Sequence, residues 1–349
     1  MRLKRNCGSR SYSTRMKTNF LKGKTILVTG GTGSFGKSFV QALLAGRAAK
    51  KVIVFSRDEL KQHHAEQELK DPRVRFFIGD VRDIDRLRRA FSGVDIVVHA
   101  AALKQVPALE YNPFEAVKTN VLGTQNVIEA AIDKNVNRVL LVSTDKAAYP
   151  GNLYGATKLC AERLFLSANS YSGGKTSFSV VRYGNVLGSR GSFVETLQKN
   201  GRNGETVEIT DPEMTRFWIS LRQAHDLVLF ALLHMEGGEI FIPKIPSMKI
   251  GDLVHALLPK AKKKIVGLRA GEKLHEVLLT DQESRHAIEG STCFIVLPEF
   301  VFWSGPEQYR KFRRMGKDVP AGFCYRSEAN KEWLTPSALK KLLNENDTL

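Results

Sequence analysis

The sequence lacks the features that mark membrane-spanning, disulfide-rich and metal-binding proteins. No apolar run approaches the roughly 18 consecutive residues that a membrane-spanning helix needs, which predicts a soluble chain without membrane contact. The few cysteines are widely separated and form neither a CxxC pair nor a dense disulfide array: Cys7, Cys160, Cys293 and Cys324. We therefore expect reduced thiols, a cytoplasmic location and no bound metal.

Acidic residues are absent from the first 57 positions, which hold 13 lysines and arginines. The formal net charge is +17, but of the 53 basic residues only 40 remain for the rest of the chain, against 36 acidic ones. A polyanion-binding surface needs a basic patch on the folded protein. A charge excess confined to one end therefore argues against nucleic acid as a partner.

Residues 1–19 are rich in arginine and serine, a composition typical of an organelle transit peptide. Because the strand pattern begins soon after this segment, we interpret it as a basic, disordered extension. An upstream start codon, with Met16 as the true first residue, would look the same.

From Lys24 onward, short β-branched runs alternate with longer segments of helical periodicity. The runs have the nearly continuous apolar character of buried parallel strands: Thr25–Thr29, Lys51–Phe55, Val74–Ile78, Asp95–His99, Arg138–Ser143 and Phe178–Tyr183. This alternation predicts an α/β fold with a Rossmann-type doubly wound parallel sheet.

The regular alternation ends after Tyr183, where glycine loops and proline-bearing segments become frequent. We predict a Rossmann domain at residues 20–187 and a smaller, mixed α/β substrate-binding domain mainly within residues 188–349. A segment at about residues 215–250 is expected to pack back on the Rossmann domain. Ligands of open α/β sheets bind outside the carboxyl ends of the strands, so the second domain should supply substrate contacts.

A glycine-rich turn, TGGTGSFG, joins the first strand to a helix. Gly30 permits the tight turn, Gly33 lets the backbone approach a pyrophosphate, and Gly36 lets helix and strand pack closely. The helix N-terminus would then face the phosphates of a dinucleotide. The turn predicts cofactor contacts at Gly30, Thr32, Gly33, Ser34, Phe35 and Gly36.

The second strand ends in FSRDE, which bears on the choice of cofactor. A carboxylate there would bind the ribose 2′-hydroxyl of NAD, whereas an arginine accommodates the 2′-phosphate of NADP. Ser56 and Arg57 precede Asp58, which favours NADP, with NAD as the alternative; Arg57 could also simply begin a solvated helix. Later strand ends predict further cofactor contacts at Asp80, Val81, Ala100 and Ala101.

Tyr154 and Lys158 form the pattern YxxxK after the fifth strand, so a helix would place both on one face. A nearby ammonium lowers the phenol pKa, and the tyrosinate can then take a hydroxyl proton as hydride leaves the same carbon. With the glycine turn, the pattern resembles the extended short-chain dehydrogenase/reductase superfamily. The resemblance implies a site hydroxyl from Ser143 or Thr144 and a place for Asn120 in the cofactor site.

Asp145 and Lys146 form a second acid–base pair directly after the same strand. A dehydrogenase or 4-epimerase of this superfamily needs only the hydroxyl, the tyrosine and the lysine, so the second pair indicates another proton transfer. The elimination of water from a sugar requires such a second proton transfer. Oxidation of a hexose at carbon 4 acidifies the carbon 5 proton, a base removes it, and an acid protonates the departing 6-hydroxyl. A solvated surface pair is the alternative.

The ordered motifs resemble the inverting UDP-N-acetylglucosamine 4,6-dehydratases over about residues 24–343. They are STDKA…P.NLYGATK, TGGTGSFGK, SRDE.K, FIGDVRD, HAAALK.VP..EYNP, RYGNV.GSRGS, MTRFWIS, IPKIPSMKI and RAGEKLHE. The resemblance implies dehydration with inversion at carbon 5 in a pathway to pseudaminic-acid-like surface sugars. It implies Tyr154 as oxidation base supported by Lys158, Asp145 as acid, and Lys146 acting on the carbon 5 proton.

The resemblance also implies a homo-oligomer, specifically a hexamer, and further ligand contacts. Lys146 could be a neutral base only if burial or neighbouring cations lowered its pKa. Arg216 could contact the ligand or, equally well, belong to a structural ion pair. The implied substrate-side residues are Lys104, which also approaches the nicotinamide, Asn185, Ser189, Arg190, Arg269 and Glu272.

Two other functions remain open from the sequence. A UDP-sugar 4-epimerase shares the fold but has no use for the Asp145–Lys146 pair. A non-catalytic NADP-binding regulator would not need the complete set of Ser or Thr, Tyr and Lys.

Overall fold

The computed structural model describes residues 19–189, 191–201, 206–301, 303 and 305–347, so the predicted N-terminal extension lies outside it except for Asn19. The strands are β1 (Thr25–Thr29), β2 (Lys51–Ser56), β3 (Val74–Ile78), β4 (Ile96–His99), β5 (Arg138–Thr144), β6 (Ser177–Tyr183), β7 (Asn185–Val186), β8 (Val207–Ile209), β9 (Thr215–Ile219), β10 (Ile240–Pro243), β11 (Ser247–Lys249), β12 (Lys263–Ile265), β13 (Val277–Leu279), β14 (Ala287–Gly290), β15 (Cys293–Val296), β16 (Gly316–Asp318) and β17 (Tyr325–Arg326).

The helices flank these strands or connect them. They are α1 (Ser34–Ala45), α2 (Glu59–Leu69), α3 (Ile84–Ala90), α4 (Val106–Tyr111), α5 (Pro113–Ala116), α6 (Gly123–Asp133), α7 (Leu153–Ala168), α8 (Phe193–Gly201), α9 (Leu221–His234), α10 (Ile250–Leu257), α11 (Arg310–Arg313) and α12 (Pro336–Asp347). A π-helical turn at Val117–Leu122 leads into α6, and a 3₁₀ turn at Asp145–Ala147 follows β5.

A ten-stranded sheet forms the centre of the fold, in the order β16-β14-β15-β10-β6-β5-β4-β1-β2-β3. The seven strands from β10 to β3 are parallel, and β15, β14 and β16 add an antiparallel edge. All residues of β1 and β4 are buried, which explains their continuous apolar runs. The predicted Rossmann-type α/β fold is confirmed.

From β1 the strand order runs outward through β2 to β3, and from β4 it runs the other way through β5 to β6. This change of order between β1 and β4 creates a crevice at the carboxyl ends of these two parallel strands. Ligands of doubly wound sheets bind at such a reversal. The glycine turn follows β1, and the catalytic candidates follow β5, so the topology brings both to the same crevice.

A second, smaller apolar core lies C-terminal to β6 and includes Leu187, Trp218, Met248 and Leu253. Within the segment expected to pack back, α9 contacts α1 and β10 pairs with β6. The strands β14 to β16 also join the main sheet, which the sequence pattern did not indicate. The division at residue 187 stays a prediction.

Across the described ranges, no helix combines the length and the apolar character needed to cross a membrane.

Candidate active site

A cavity of about 990 Å³ opens at the carboxyl ends of β1, β2, β4, β5 and β6. Its cofactor-side lining includes most of the predicted residues, namely Gly30, Thr32, Gly33, Ser34, Phe35, Gly36, Ser56, Arg57, Val81, Ala100 and Ala101. Its opposite part is lined by Lys104, Ser143, Thr144, Lys146, Tyr154, Lys158, Asn185 and Ser189. The structure therefore brings together residues that the sequence separates widely.

Some predicted residues do not line this cavity. Asp80 accepts hydrogen bonds from the Arg82 guanidinium, at 2.7 Å from Nη2, and lies 3.5 Å from Arg57 Nη1. The others are Asn120, Asp145, Arg269 and Glu272. Arg190 lies outside the described residues, so its contact with the substrate stays a prediction.

The glycine turn has the geometry that the dinucleotide pattern predicts. Gly30 has a φ of +68°, and a Cβ atom there would lie 2.9 Å from the Ala101 backbone. A Cβ atom on Gly36 would collide with the Gly30 carbonyl oxygen. Gly33 has no side chain to cap α1, so the first-turn N–H groups can serve an anion. These residues fit the pyrophosphate of a dinucleotide.

The end of β2 presents hydroxyl and cationic groups to the cavity. Thr32 and Ser56 share a hydrogen bond of 2.7 Å between their hydroxyl oxygens. Arg57, Asp58 and Lys61 line the cavity, and sequence reasoning missed Lys61. The Asp58 carboxylate caps α2 by accepting from Lys61 N at 2.9 Å, and its other oxygen lies 2.6 Å from Lys61 Nζ.

The helix α7 carries Tyr154 and Lys158, and its start is fixed by local contacts. The Asn152 side chain caps the helix by accepting from Gly155 N at 2.9 Å. A Cβ atom on Gly155 would collide with the Lys146 carbonyl oxygen, so glycine lets the 3₁₀ turn pack on α7. The two pairs of candidate catalytic residues are thereby held together.

Burial dominates the titration of Tyr154 and Lys158. It lowers the pKa of Lys158 to about 8, and the Lys158 ammonium donates to the Val142 carbonyl oxygen at 3.0 Å. It raises the pKa of Tyr154 to about 12, opposite to the direction expected from the sequence. The charge that most opposes this rise is Lys146, not Lys158. The second pair therefore acts electrostatically on the first.

Asp145 is fully buried, so it is not part of a solvated surface pair. Its Oδ1 accepts from Thr144 Oγ1 and from Lys146 Nζ, each at 2.9 Å. Its Oδ2 has no hydrogen-bond partner among the described residues. Thr144 and Lys146 line the cavity and connect Asp145 to it. A buried carboxylate oxygen without a partner is costly, which marks a functional group.

Lys146 is held as an ammonium. Burial alone would lower its pKa, but the carboxylates of Asp145 and Glu276 outweigh burial and raise the pKa above its usual range. A neutral Lys146 base would require a lowered pKa, and this condition is not met. Asp145 contributes most to the rise, and a second carboxylate, which the sequence did not place beside Lys146, adds to it.

Glu276 is this second carboxylate, and sequence reasoning missed it. It is 2% exposed, and its oxygens lie 2.9 Å from Lys273 Nζ, 3.5 Å from Lys146 Nζ and 3.8 Å from Arg216 Nε. Arg216 also donates to the backbone carbonyls of Leu274 and Lys273, so it belongs to a structural ion pair. Glu276 closes the RAGEKLHE motif, the only sequence signal that could have drawn attention to it.

Lys104 lies on the loop that follows β4, and the side chain of Asn120 holds this loop in place. The Asn120 side chain bonds the backbone N–H and carbonyl of Leu103 and the Thr157 hydroxyl at 2.8, 2.9 and 3.1 Å. Burial lowers the pKa of Lys104, and the charge of Lys146 lowers it further. In this structure Asn120 therefore positions the loop rather than lining the cavity.

Arg269 and Glu272 lie on an exposed loop near the start of α7. Glu272 Oε2 accepts from Arg269 N at 3.2 Å, and Asn152 Nδ2 donates to the Gly271 carbonyl at 2.9 Å. The loop is thereby tied to the helix that carries Tyr154.

Comparison with known proteins places the chain among enzymes of nucleotide sugars. Residues 26–298 match the family described as polysaccharide biosynthesis protein. The chain is 47% identical to the UDP-N-acetylglucosamine 4,6-dehydratase (inverting) of Campylobacter jejuni, over 93% of this chain and 98% of that protein. It is 43% identical to the UDP-glucose 4-epimerase of Rickettsia rickettsii, over 76% of this chain and 80% of that protein.

Solved structures agree with the fold. Pen from Bacillus thuringiensis matches with a TM-score of 0.85 and 39% identity, over 95% of this chain and 100% of that chain. The dTDP-glucose 4,6-dehydratase DesIV from Streptomyces venezuelae, with NAD and DAU bound, matches with a TM-score of 0.65 and 27% identity, over 71% of this chain and 86% of that chain.

The likeness to a neighbour that binds NAD supports the predicted nicotinamide cofactor, and the dehydratase relatives support the predicted enzyme of the short-chain dehydrogenase/reductase type. The family predicted from the motifs is confirmed: the chain belongs to the polysaccharide biosynthesis proteins of the extended short-chain dehydrogenase/reductase superfamily, in the family of the inverting UDP-N-acetylglucosamine 4,6-dehydratases.

Proposed function

We propose that the protein dehydrates UDP-N-acetylglucosamine at carbons 4 and 6 and inverts carbon 5. The product would be a UDP-2-acetamido-2,6-dideoxy-hexos-4-ulose, an intermediate for pseudaminic-acid-like surface sugars. The observation that carries the proposal is that the Asp145–Lys146 pair adjoins the same cavity as Tyr154 and Lys158. One site thus holds an oxidation pair and an elimination pair.

The first pair serves the oxidation at carbon 4. We assign Tyr154 as the base that takes the 4-hydroxyl proton, with the charge of Lys146 favouring its tyrosinate and Thr144 as a hydrogen-bonding partner. Lys158 supplies a buried positive charge on the same face of α7. When bound, a nicotinamide would take the hydride from carbon 4 and return it to carbon 6. Carbon 5 would then regain a proton on its opposite face, which inverts it and balances the proton that Tyr154 took from the 4-hydroxyl.

The second pair serves the elimination, and its resting ion pair already holds the required proton. Transfer of one proton from Lys146 Nζ to Asp145 across their 2.9 Å hydrogen bond gives a neutral amine and a carboxylic acid. The amine then takes the carbon 5 proton, while the acid protonates the departing 6-hydroxyl, which leaves as water. The ion pair is restored, so a raised pKa of Lys146 is compatible with its role as base.

The competing function is a UDP-sugar 4-epimerase, which the Rickettsia relative favours. The two activities differ in the mass of the product. Incubation of the purified protein with UDP-N-acetylglucosamine should give a product lighter by one water in the mass spectrum. An isomeric product of unchanged mass would contradict the dehydratase assignment, and NMR of the dehydrated product would establish the configuration at carbon 5.

We further propose NADP as the cofactor. The hydroxyls of Thr32 and Ser56 and the cations of Arg57 and Lys61 line the cavity at the end of β2, and the Asp58 carboxylate beside them is engaged by Lys61 and by capping α2. This arrangement favours a phosphate over a free hydroxyl.

Replacing Arg57 by Ala should weaken NADP binding about 10- to 100-fold, the value of one charge-assisted hydrogen bond, and should leave NAD binding nearly unchanged. Titration calorimetry measures both affinities. Arg88→Ala, which removes an exposed arginine paired with Asp133, is the control. Equal losses for NAD and NADP would contradict the assignment.

Substrate contacts are proposed for the remaining cavity residues. Asn185 Oδ1 is buried and has no hydrogen-bond partner among the described residues, as a group that awaits a ligand would be. Ser189 and Lys104 line the same cavity, and Arg269 and Glu272 belong to the loop that is tied to Asn152. We also propose a homo-oligomer, on the family resemblance.

A further inference from the structure

One C-terminal segment, residues 271–283, fastens the loop that carries the second catalytic pair, residues 145–152. Glu276 contacts Lys146, as described above. The other ties between segment and loop are Lys273 Nζ to the Ala148 carbonyl at 3.0 Å, Asn152 Nδ2 to the Gly271 carbonyl at 2.9 Å, and the Tyr149 hydroxyl to Asp281. Three of these ties hold the backbone or an exposed side chain, and only Glu276 touches a catalytic side chain.

The charges around Glu276 are arranged asymmetrically. Its carboxylate faces three cations, Lys146, Lys273 and Arg216, at 3.5, 2.9 and 3.8 Å. Lys146 is 26% exposed through its position on the cavity wall, whereas Glu276 is 3% exposed by its side chain and does not line the cavity. Glu276 therefore acts on the cavity through Lys146.

We propose that Glu276 is a positioning residue that holds Lys146 at the cavity wall and stabilises the ammonium that forms when Lys146 takes the carbon 5 proton. This inference rests on the proposed dehydration. During elimination, Asp145 alternates between acid and carboxylate, so it is not a constant counter-ion. Glu276 remains a carboxylate throughout, because its three cations favour the charged form.

The charge of Glu276 should decide how strong a base Lys146 is. Without it, Lys273 and Arg216 would leave the site with an uncompensated positive charge, and the ammonium of Lys146 would be less stable. Removal of the weakly acidic carbon 5 proton would then slow, while the oxidation by Tyr154 would proceed.

The first test is Glu276→Gln. We expect kcat for water loss to fall about 10- to 100-fold, as for a base weakened by one to two pKa units, with little change in KM. In a single turnover, the reduced nicotinamide should accumulate and be visible by its absorbance, because the 4-keto sugar forms faster than it loses water. The alkaline limb of the pH–rate profile should move to lower pH, since the shared proton of the pair is lost more easily.

The second test is Lys273→Met, which removes a cation from Glu276 and should move the alkaline limb in the opposite direction, to higher pH. Opposite shifts are expected from a charge effect and not from loosened packing. Glu276→Asp, which keeps the charge, should retain the limb of the wild type even where its kcat falls. Glu289→Gln, at an exposed ion pair with Lys244, is the matched control and should behave as the wild type.

A wild-type pH profile and no accumulation of reduced nicotinamide in Glu276→Gln would overturn the inference. An unshifted limb in Lys273→Met would overturn it as well, which keeps the test decisive if Glu276→Gln does not fold. A wild-type protein that oxidises the sugar without releasing water would instead overturn the proposed dehydration, and this inference with it. Water loss by the wild type with equal rates in the variants would overturn the role of Glu276 alone.

Discussion

Two buried charge clusters connect the parallel sheet to the same C-terminal segment, and they differ in how completely they are satisfied. In the Arg182 cluster (Glu162, Arg182, Glu283), Arg182 is 1% exposed. It directs its donors to Glu162, Glu283 and the Leu278 carbonyl through five hydrogen bonds of 2.6 to 3.1 Å. The Lys146 cluster (Asp145, Lys146, Arg216, Lys273, Glu276) has a partly exposed ammonium and an Asp145 oxygen that finds no hydrogen-bond partner in the described part of the chain.

Burial and a strongly shifted pKa are common to both clusters, so neither property identifies the catalytic one. The opposing carboxylates raise the pKa of Arg182 against the effect of burial, and a similar balance raises the pKa of Lys146. The useful distinction is that, as far as the described residues show, only the Lys146 cluster reaches a cavity and retains an unused hydrogen-bonding atom. The Arg182 cluster has the features of a structural connection between β6, α7 and residues 278–283.

The largest expected effect comes from Lys146→Ala, which removes the proposed base. Water loss should fall by about 10²- to 10⁴-fold, the contribution of general acid–base catalysis. Stability should fall less than in Arg182→Met, because Glu276 keeps Lys273 and Arg216 as counter-ions and Asp145 keeps its hydrogen bond from Thr144. Mass spectrometry of the product and thermal unfolding measure the two quantities. Lys264→Ala, at an exposed ion pair, is the control, and unchanged turnover of Lys146→Ala would refute the elimination mechanism.

Arg182→Met should reverse this pattern, with a large loss of stability. Two buried carboxylates would lose their counter-ion, which costs about 3–5 kcal/mol in the free energy of unfolding. Urea denaturation measures this loss. Arg326→Met breaks an exposed pair with Glu328 and should cost less than about 1 kcal/mol. If both variants were equally stable, the Arg182 cluster would not have the structural role assigned to it.

Acid should weaken the fold through Glu283. Burial alone would raise the pKa of Glu283. The charge of Arg182 outweighs burial and lowers this pKa to about 2, below the ordinary value of 4.5. A lowered folded-state pKa contributes stability above pH 4.5, and this contribution is lost as the pH falls toward 2. The slope is at most about 1.4 kcal/mol per pH unit for one carboxylate.

Glu283→Gln should therefore flatten the decline in unfolding free energy over this pH range without shifting the pH–rate profile. Urea denaturation at several acidic pH values measures the slope. A shift of the pH–rate profile in Glu283→Gln, like that expected for Glu276→Gln, would erase the distinction between the two clusters.

The smallest effect is expected from Tyr149→Phe, which removes one tie outside both clusters. Tyr149 has a φ of +49° and bonds Asp281 through its hydroxyl, with 45% of its surface exposed. Because water can replace an exposed hydrogen bond, the loss of stability should stay within about 0.5–1.5 kcal/mol. Thermal unfolding and turnover measure the effect. A fall in turnover comparable to that of Lys146→Ala would show that the loop depends on this tie.

Local patterns in the sequence were sufficient for six of the seven parallel strands, all except β10. The strands β1 to β6, the glycine turn and the helix with Tyr154 and Lys158 each depend on residues close together in the chain. Periodicity of apolar residues and the steric freedom of glycine act over such short distances. The adjacency of Asp145 and Lys146 was also readable, since they follow one another after a buried strand.

Only the tertiary structure decided how these groups are charged and connected. Glu276 meets Lys146, Asn120 holds the Lys104 loop, and β14 to β16 extend the sheet. Each outcome depends on which distant residue lies beside a group once the chain is folded and how much water remains there. The sequence thus specified which acids, bases and turns are present, and long-range packing determined the protonation of Lys146, because burial and opposing charges set a pKa together.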